Sequence, residues 1–163
     1  MIRLTEQLIR SSFVNASRKE AAAATLPDGL DDVDWDTLDY FGWRDPRLPR
    51  RAYAVIPLLD DPDAGLVGVV LQRAAAKPTS RAQCSWCRDV TLPNDVVLYT
   101  AKRTGPAGRK GDTVGVLLCE DFECSRNVRR LPPLAYEGFD REAARKGRID
   151  ELRIIAATFA DEL

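Results

Sequence analysis

The sequence predicts an α+β protein, with antiparallel β-hairpins and flanking helices gathered around a site made by its four cysteines. Three observations carry this. Four short runs rich in valine and leucine fall in two pairs, each joined by a connector of turn formers. Amphipathic stretches stand at both ends of the chain. The cysteines come as two close pairs, one ahead of the second hairpin and one at its end. The 163 residues suit a single domain. It divides into a helical N-terminus and first hairpin (1–76), a cysteine module (77–135) and a C-terminal amphipathic helix (136–163).

Residues 5–24, TEQLIRSSFVNASRKEAAAA, have helical periodicity, with Leu8, Ile9, Phe13 and Val14 roughly on one face and Thr5 as a cap. Asn15 or Ser17 can restart a second, alanine-rich helix, which Pro27 ends. The next stretch, 28–46, is acidic and aromatic: Asp28, Asp31, Asp32, Asp34, Asp36, Asp39 and Asp45 stand against one cation, Arg44. It reads as irregular, with a short helical turn near Asp36–Tyr40, and Trp35, Tyr40, Phe41 and Trp43 are expected in the core. RRAYAVIPLL and GLVGVVLQRA, around DDPDAG, make the first hairpin. DVVLYTAKR and DTVGVLLC make the second, around the glycine-rich basic loop TGPAGRKG. That loop reads as a flexible hairpin connection. It lacks the G-x-x-x-x-G-K-[ST] order of a phosphate loop, so nucleotide binding through it is rejected. DFECSRNVRR is a short helix that stops before Pro132 and Pro133. The last segment, from Asp140, is an amphipathic helix with Leu152, Ile154, Ile155 and Phe159 as its apolar stripe.

The cysteine order is Cys84-x2-Cys87, then Cys119-x4-Cys124. A disulfide pair needs an oxidising compartment, and no targeting segment supports one: the N-terminus is amphipathic and lacks a long apolar region and cleavage site, so the cytoplasm is expected. A redox C-x-x-C would stand just before a helix, whereas Cys87 leads into a turn and a strand. Structural zinc accounts for both pairs. A tight turn aims Cys84 and Cys87 into one cavity, and a helix start brings Cys119 and Cys124 to it. A knuckle, a two-stranded hairpin and a helix bearing the last ligand describe a treble clef. Four thiolates leave no open coordination position, so the metal is expected to be structural.

Histidine is absent, which removes imidazole acid–base chemistry, His-dependent nucleophiles and His metal ligands. No other catalytic constellation emerges, so a non-enzymatic binding module is the expected class, with no small-molecule substrate. No run of about 18 apolar residues predicts a membrane span, and the net charge of −1 demands no polyanion. The charge is unevenly spread, however. From Lys77 to Arg130 there are ten cations (Lys77, Arg81, Arg88, Lys102, Arg103, Arg109, Lys110, Arg126, Arg129 and Arg130) and six anions, a difference of +4. A basic zinc module suits either nucleic acid or an acidic protein surface. Trp86, inside the knuckle, either caps its own domain or anchors a partner.

The run from CSWCRDV through the strand, basic loop and strand to GDTVGVLLCEDFECSRNVRR resembles the C-terminal treble-clef domain of the FusB family, the elongation factor G-binding proteins. The preceding WDTLDYFGWRDP is similar to the shorter, stand-alone members of that family. The resemblance implies one four-cysteine Zn²⁺ site and binding to elongation factor G. In the family's resistance-conferring members, that binding frees the factor from ribosomes stalled by fusidic acid. It also implies contacts at Ser85, Trp86, Lys110 and Thr113, which the basic residues Lys102 and Arg103 extend. The alternative is an RNA- or ribosome-binding zinc finger, in which Lys102, Arg103, Arg109 and Lys110 meet phosphates.

Overall fold

A computed structural model describes residues 1–58, 65–76, 80–90 and 93–163. Most of the first hairpin's connector, 59–64, and the cation Lys77 lie outside the described residues.

The N-terminal segment forms two short helices, α1 (Glu6–Ser12) and α2 (Arg18–Ala23). Thr5 Oγ1 accepts the Leu8 N–H at 3.2 Å and so caps α1. Ser17 and Glu20 form a reciprocal capping box that starts α2, which puts the restart at Ser17. Asn15 is used differently: its side chain leaves the helical path to bond the N–H and carbonyl of Val70 and the carbonyl of Lys102. The single face expected of Leu8, Ile9, Phe13 and Val14 is broken by this exit. Ile9 is fully buried, while Leu8 and Val14 are exposed. Arg10 ties the two helices together by donating to the carbonyls of Ala21, Ala22 and Ala24.

The strands are β1 (Phe41–Arg44), β2 (Arg51–Pro57), β3 (Leu66–Arg73), β4 (Val96–Lys102) and β5 (Thr113–Cys119). They form one antiparallel sheet in chain order. The irregular reading of 28–46 is corrected here, because Phe41–Arg44 pairs with β2, Trp43 standing opposite Tyr53. Its alternation of Phe41 and Trp43 with Gly42 and Arg44 is a strand pattern, but at four residues it is too short to stand out. Within the acidic stretch before β1 the regular structure is two 3-10 turns, Leu30–Asp32 and Trp35–Thr37. All four aromatics are buried as expected.

Both faces of β2 are covered, so its residues 52–56 are all buried without polar alternation. Tyr53 and Val55 face one cluster with Ile9, Trp35, Phe41 and Trp43, in which Trp43 stacks on Tyr53 with ring centroids 4.9 Å apart. Ala52, Ala54 and Ile56 face the other, larger cluster, with the cysteines and the final helix.

The module's short helix is α4 (Cys124–Val128), and α5 is the final helix (Arg141–Asp161). The buried face of α5 is Leu152, Ala156, Phe159 and Ala160, at helical spacings of four and three to four residues. Ile154 was assigned to this stripe by hydrophobicity, but it lies about 200° around the helix from Leu152 and is 55% exposed. The basic loop is also more ordered than a flexible connection. It contains a helical turn, α3 (Gly105–Arg109), and Thr104 donates its N–H to the Leu163 carbonyl at 2.6 Å.

A buried carboxylate joins the acidic stretch to the rest. The Asp39 side chain is 0% exposed and pairs with Arg129 and with Arg153, the latter at 2.8 Å. Its backbone N–H donates to Ser125 Oγ at 3.0 Å.

Candidate metal centre

Cys84 and Cys87 sit in a turn whose closing bond runs from the Arg88 N–H to the Cys84 carbonyl at 3.0 Å. Arg88 takes a left-handed φ of 53° at the end of that turn. Cys119 is the last residue of β5, and Cys124 the first of α4. Between them Phe122 turns the chain with φ of 59°, its N–H bonded to the Cys119 carbonyl at 3.1 Å. Phe122 packs so closely over β1 that a Cβ on Gly42 would lie 2.4 Å from its ring.

The four sulfurs are buried and lie within 4.8 Å of one another. Cys84 Sγ is 3.6 Å from Cys124 Sγ, and Cys87 Sγ is 3.7 Å from Cys119 Sγ. A regular tetrahedron with Zn–S bonds of about 2.3 Å has edges of about 3.8 Å, so the cage has the right size for Zn²⁺. Its electrostatics ask for a cation as well. Hydrogen bonds from Cys119, then Cys124 and Cys87, hold Cys84 far below the ordinary thiol range. Contacts with Cys119, then Cys84 and Cys87, and burial push Cys124 well above it. Sulfurs this close carry four negative charges together only around a metal.

The surroundings orient these ligands. Asn127 lies three residues after Cys124 on α4, and its Nδ2 approaches Cys119 Sγ at 3.5 Å and Cys87 Sγ at 3.8 Å. Such donors stabilise thiolate charge. Asn127 was missed by sequence reasoning, although its i, i+3 spacing from a ligand is a usable signal. Asn127→Ala is expected to weaken zinc affinity by about 10- to 100-fold, read by competition with a chromogenic chelator. Tyr40 covers the cage from the acidic stretch. Burial first, then the neighbouring Cys124, pushes its phenol well above the usual range, so it stays neutral.

Trp86 settles between its two readings. It is 2% exposed, with its ring edge-on to Tyr40 at 4.7 Å and against Phe159 at 5.7 Å. It therefore caps its own domain, and its assignment as a partner anchor is corrected. The small residues Ala52 and Ala54 on the facing strand belong to the same cluster as its ring. The other expected contact residues are brought together along β5. Thr113 begins that strand and pairs with Lys102 of β4. Arg103 bonds the Asp112 carbonyl at 2.9 Å, and Lys110 ends the α3 turn just before them. Ser85 is exposed near the strand's other end, its N–H donating to the Leu117 carbonyl at 2.7 Å. Lys102, Lys110 and Thr113 are exposed, and Arg103 is half-buried.

A family model of the FBP C-terminal treble-clef zinc-finger matches residues 8–163. The chain belongs to this family. Its four cysteines are the treble clef's zinc ligands, and Zn²⁺ is the cofactor that they fit. Among solved structures, the chain is similar to the fusidic acid resistance protein FusC, with 24% identity and a TM-score of 0.47. The likeness covers 63% of this chain and 44% of that one, so this treble-clef chain spans less than half of FusC's length. Comparison with curated proteins gives no match. Among the described residues, no helix is long and apolar enough to cross a membrane.

Proposed function

We propose that this treble-clef protein is a binding module with no catalytic activity, and that its partner is elongation factor G. The supporting observation is the closed four-sulfur cage in a chain that matches the family along nearly its whole length. A zinc ion held by four thiolates has no position left for substrate, so it serves to shape a surface. The resemblance to the FusB family supplies the partner, and the contact surface it implies lies along β5. Ser85, Thr113, Lys102, Arg103 and Lys110 gather there, with cations concentrated at the Thr113 end. That charge favours encounter with an acidic protein surface. The mechanism is differential binding, in which contact energy favours the factor's off-ribosome state. Release of the factor from the ribosome, as in fusidic acid resistance, follows from that preference.

Purified protein is expected to co-elute with elongation factor G at micromolar concentrations and low salt. Failure to co-elute would sink the proposal. Retention on ribosomal RNA instead, with affinity falling steeply as salt rises, would favour the RNA-binding alternative.

A further inference from the structure

We infer that β5 takes up an extended, acidic segment of the partner as a sixth strand of the sheet. This rests on the partner-binding role proposed above. Among the described residues, β5 is the last strand of the sheet and only β4 pairs with it. The Arg103 N–H bonds the Asp112 carbonyl, and the Glu120 N–H bonds the Asp95 carbonyl. In an antiparallel ladder these two bonds fix the alternation: Val114, Val116 and Leu118 turn their backbone groups toward β4, and Thr113, Gly115 and Leu117 turn theirs outward. Cys119 turns outward too, and among the described residues two outward groups have partners, the Leu117 carbonyl that accepts from Ser85 and the Cys119 carbonyl that accepts from Phe122. Thr113 and Gly115 are exposed.

Protected edges usually carry a charge, a proline or a bulge. The outward positions here are threonine, glycine and leucine, and the register runs unbroken from Val96 opposite Cys119 to Lys102 opposite Thr113. The adjoining sheet face is open as well. Leu98, opposite Leu117, is 41% exposed, and Gly115 has no side chain to fill the space beside it. A Cβ at Gly115 would already touch Leu98 at 3.4 Å. An added strand can therefore set an apolar side chain on Leu98 and Leu117 while its backbone pairs with Thr113 and Gly115. At the Thr113 end, the four cations Lys102, Arg103, Arg109 and Lys110 stand against three anions, Asp112 of the loop and Asp161 and Glu162 at the end of α5, where Arg103 bonds the Glu162 carbonyl and Thr104 that of Leu163, which leaves an excess of positive charge. Carboxylates on the incoming segment belong there. A second copy of the chain fits poorly, because antiparallel pairing about Gly115 would set each copy's Thr113 against the other's Leu117, where the Ser85 turn already sits.

The test is amide exchange by NMR, with and without purified elongation factor G. In the free chain, the amides of Thr113 and Gly115 should exchange fast and those of Val114 and Val116 slowly; in the complex, all four should be slow. Thr113→Pro deletes one outward N–H at the first strand position, where proline is tolerated. It should weaken binding roughly three- to tenfold more than Thr113→Val does, the worth of one hydrogen bond. Binding without protection of Thr113 and Gly115, or equal affinities of the two variants, overturns strand addition and leaves the proposed function standing. Absence of binding by the unmodified chain overturns both. Protection that grows with protein concentration alone identifies a second copy as the occupant and also overturns the inference.

Discussion

Cys84→Ser is expected to strip the zinc and unfold the C-terminal half of the chain. Cys84 is 0% exposed and its sulfur is 3.6 Å from that of Cys124. The knuckle, the end of β5 and the start of α4 converge on one another at the sulfurs. A structural zinc is worth about 10–16 kcal/mol of apparent binding, whereas a whole domain is stable by about 5–15 kcal/mol. Loss of the metal is therefore comparable to the whole stability available, and the remaining thiols are left buried without a counter-ion. Metal analysis should give about one zinc per chain in the unmodified protein and far less in the variant, alongside loss of its near-ultraviolet circular dichroism. Full retention of the metal would show that Cys84 is no ligand.

Asp39→Ala is expected to cost about 3 kcal/mol, the low end for breaking a buried ion pair. The carboxylate is wholly buried, but its partners Arg129 and Arg153 are 25% and 44% exposed, so both can recover some hydration. Removal also leaves a small cavity beneath the acidic stretch. The effect should appear in the urea midpoint of unfolding, with zinc content near one per chain at low urea. A shift worth less than about 1 kcal/mol, the size of an exposed pair, would mean that Asp39 ties little together.

The metal centre was legible because its signal is chemical: cysteine pairs at close spacing in a chain without histidine leave few other readings. The helix starts at Thr5 and Ser17 were legible for a similar reason, since a capping side chain acts within three residues of itself. Three features were hidden, each because its cause is long-range. β1 has strand alternation but owes its existence to β2, ten residues on. In the sequence Asp39 is one more aspartate in an acidic run. It is singled out by Arg129 and Arg153, which are 90 and 114 residues away. Trp86 occupies a turn that would ordinarily face water, and only the approach of Tyr40 and Phe159 encloses it. Ile154 misled in the opposite direction, because hydrophobicity alone does not fix rotation about a helix axis.

The short bond from the Ser85 N–H to the Leu117 carbonyl carries a consequence for how the protein must be handled. The metal-held turn occupies one end of the sheet's open margin, so few outward groups remain for pairing, and growth from molecule to molecule is blocked before it can become periodic. Chelation releases that turn. On the unfolding expected above, β5 then leaves the sheet and its apolar residues Val114, Val116, Leu117 and Leu118 become exposed together, which is the state that aggregates. Zinc thus bears on colloidal behaviour as well as folding: strong chelators are expected to convert a folded chain with a partly capped margin into an aggregation-prone, unfolded one.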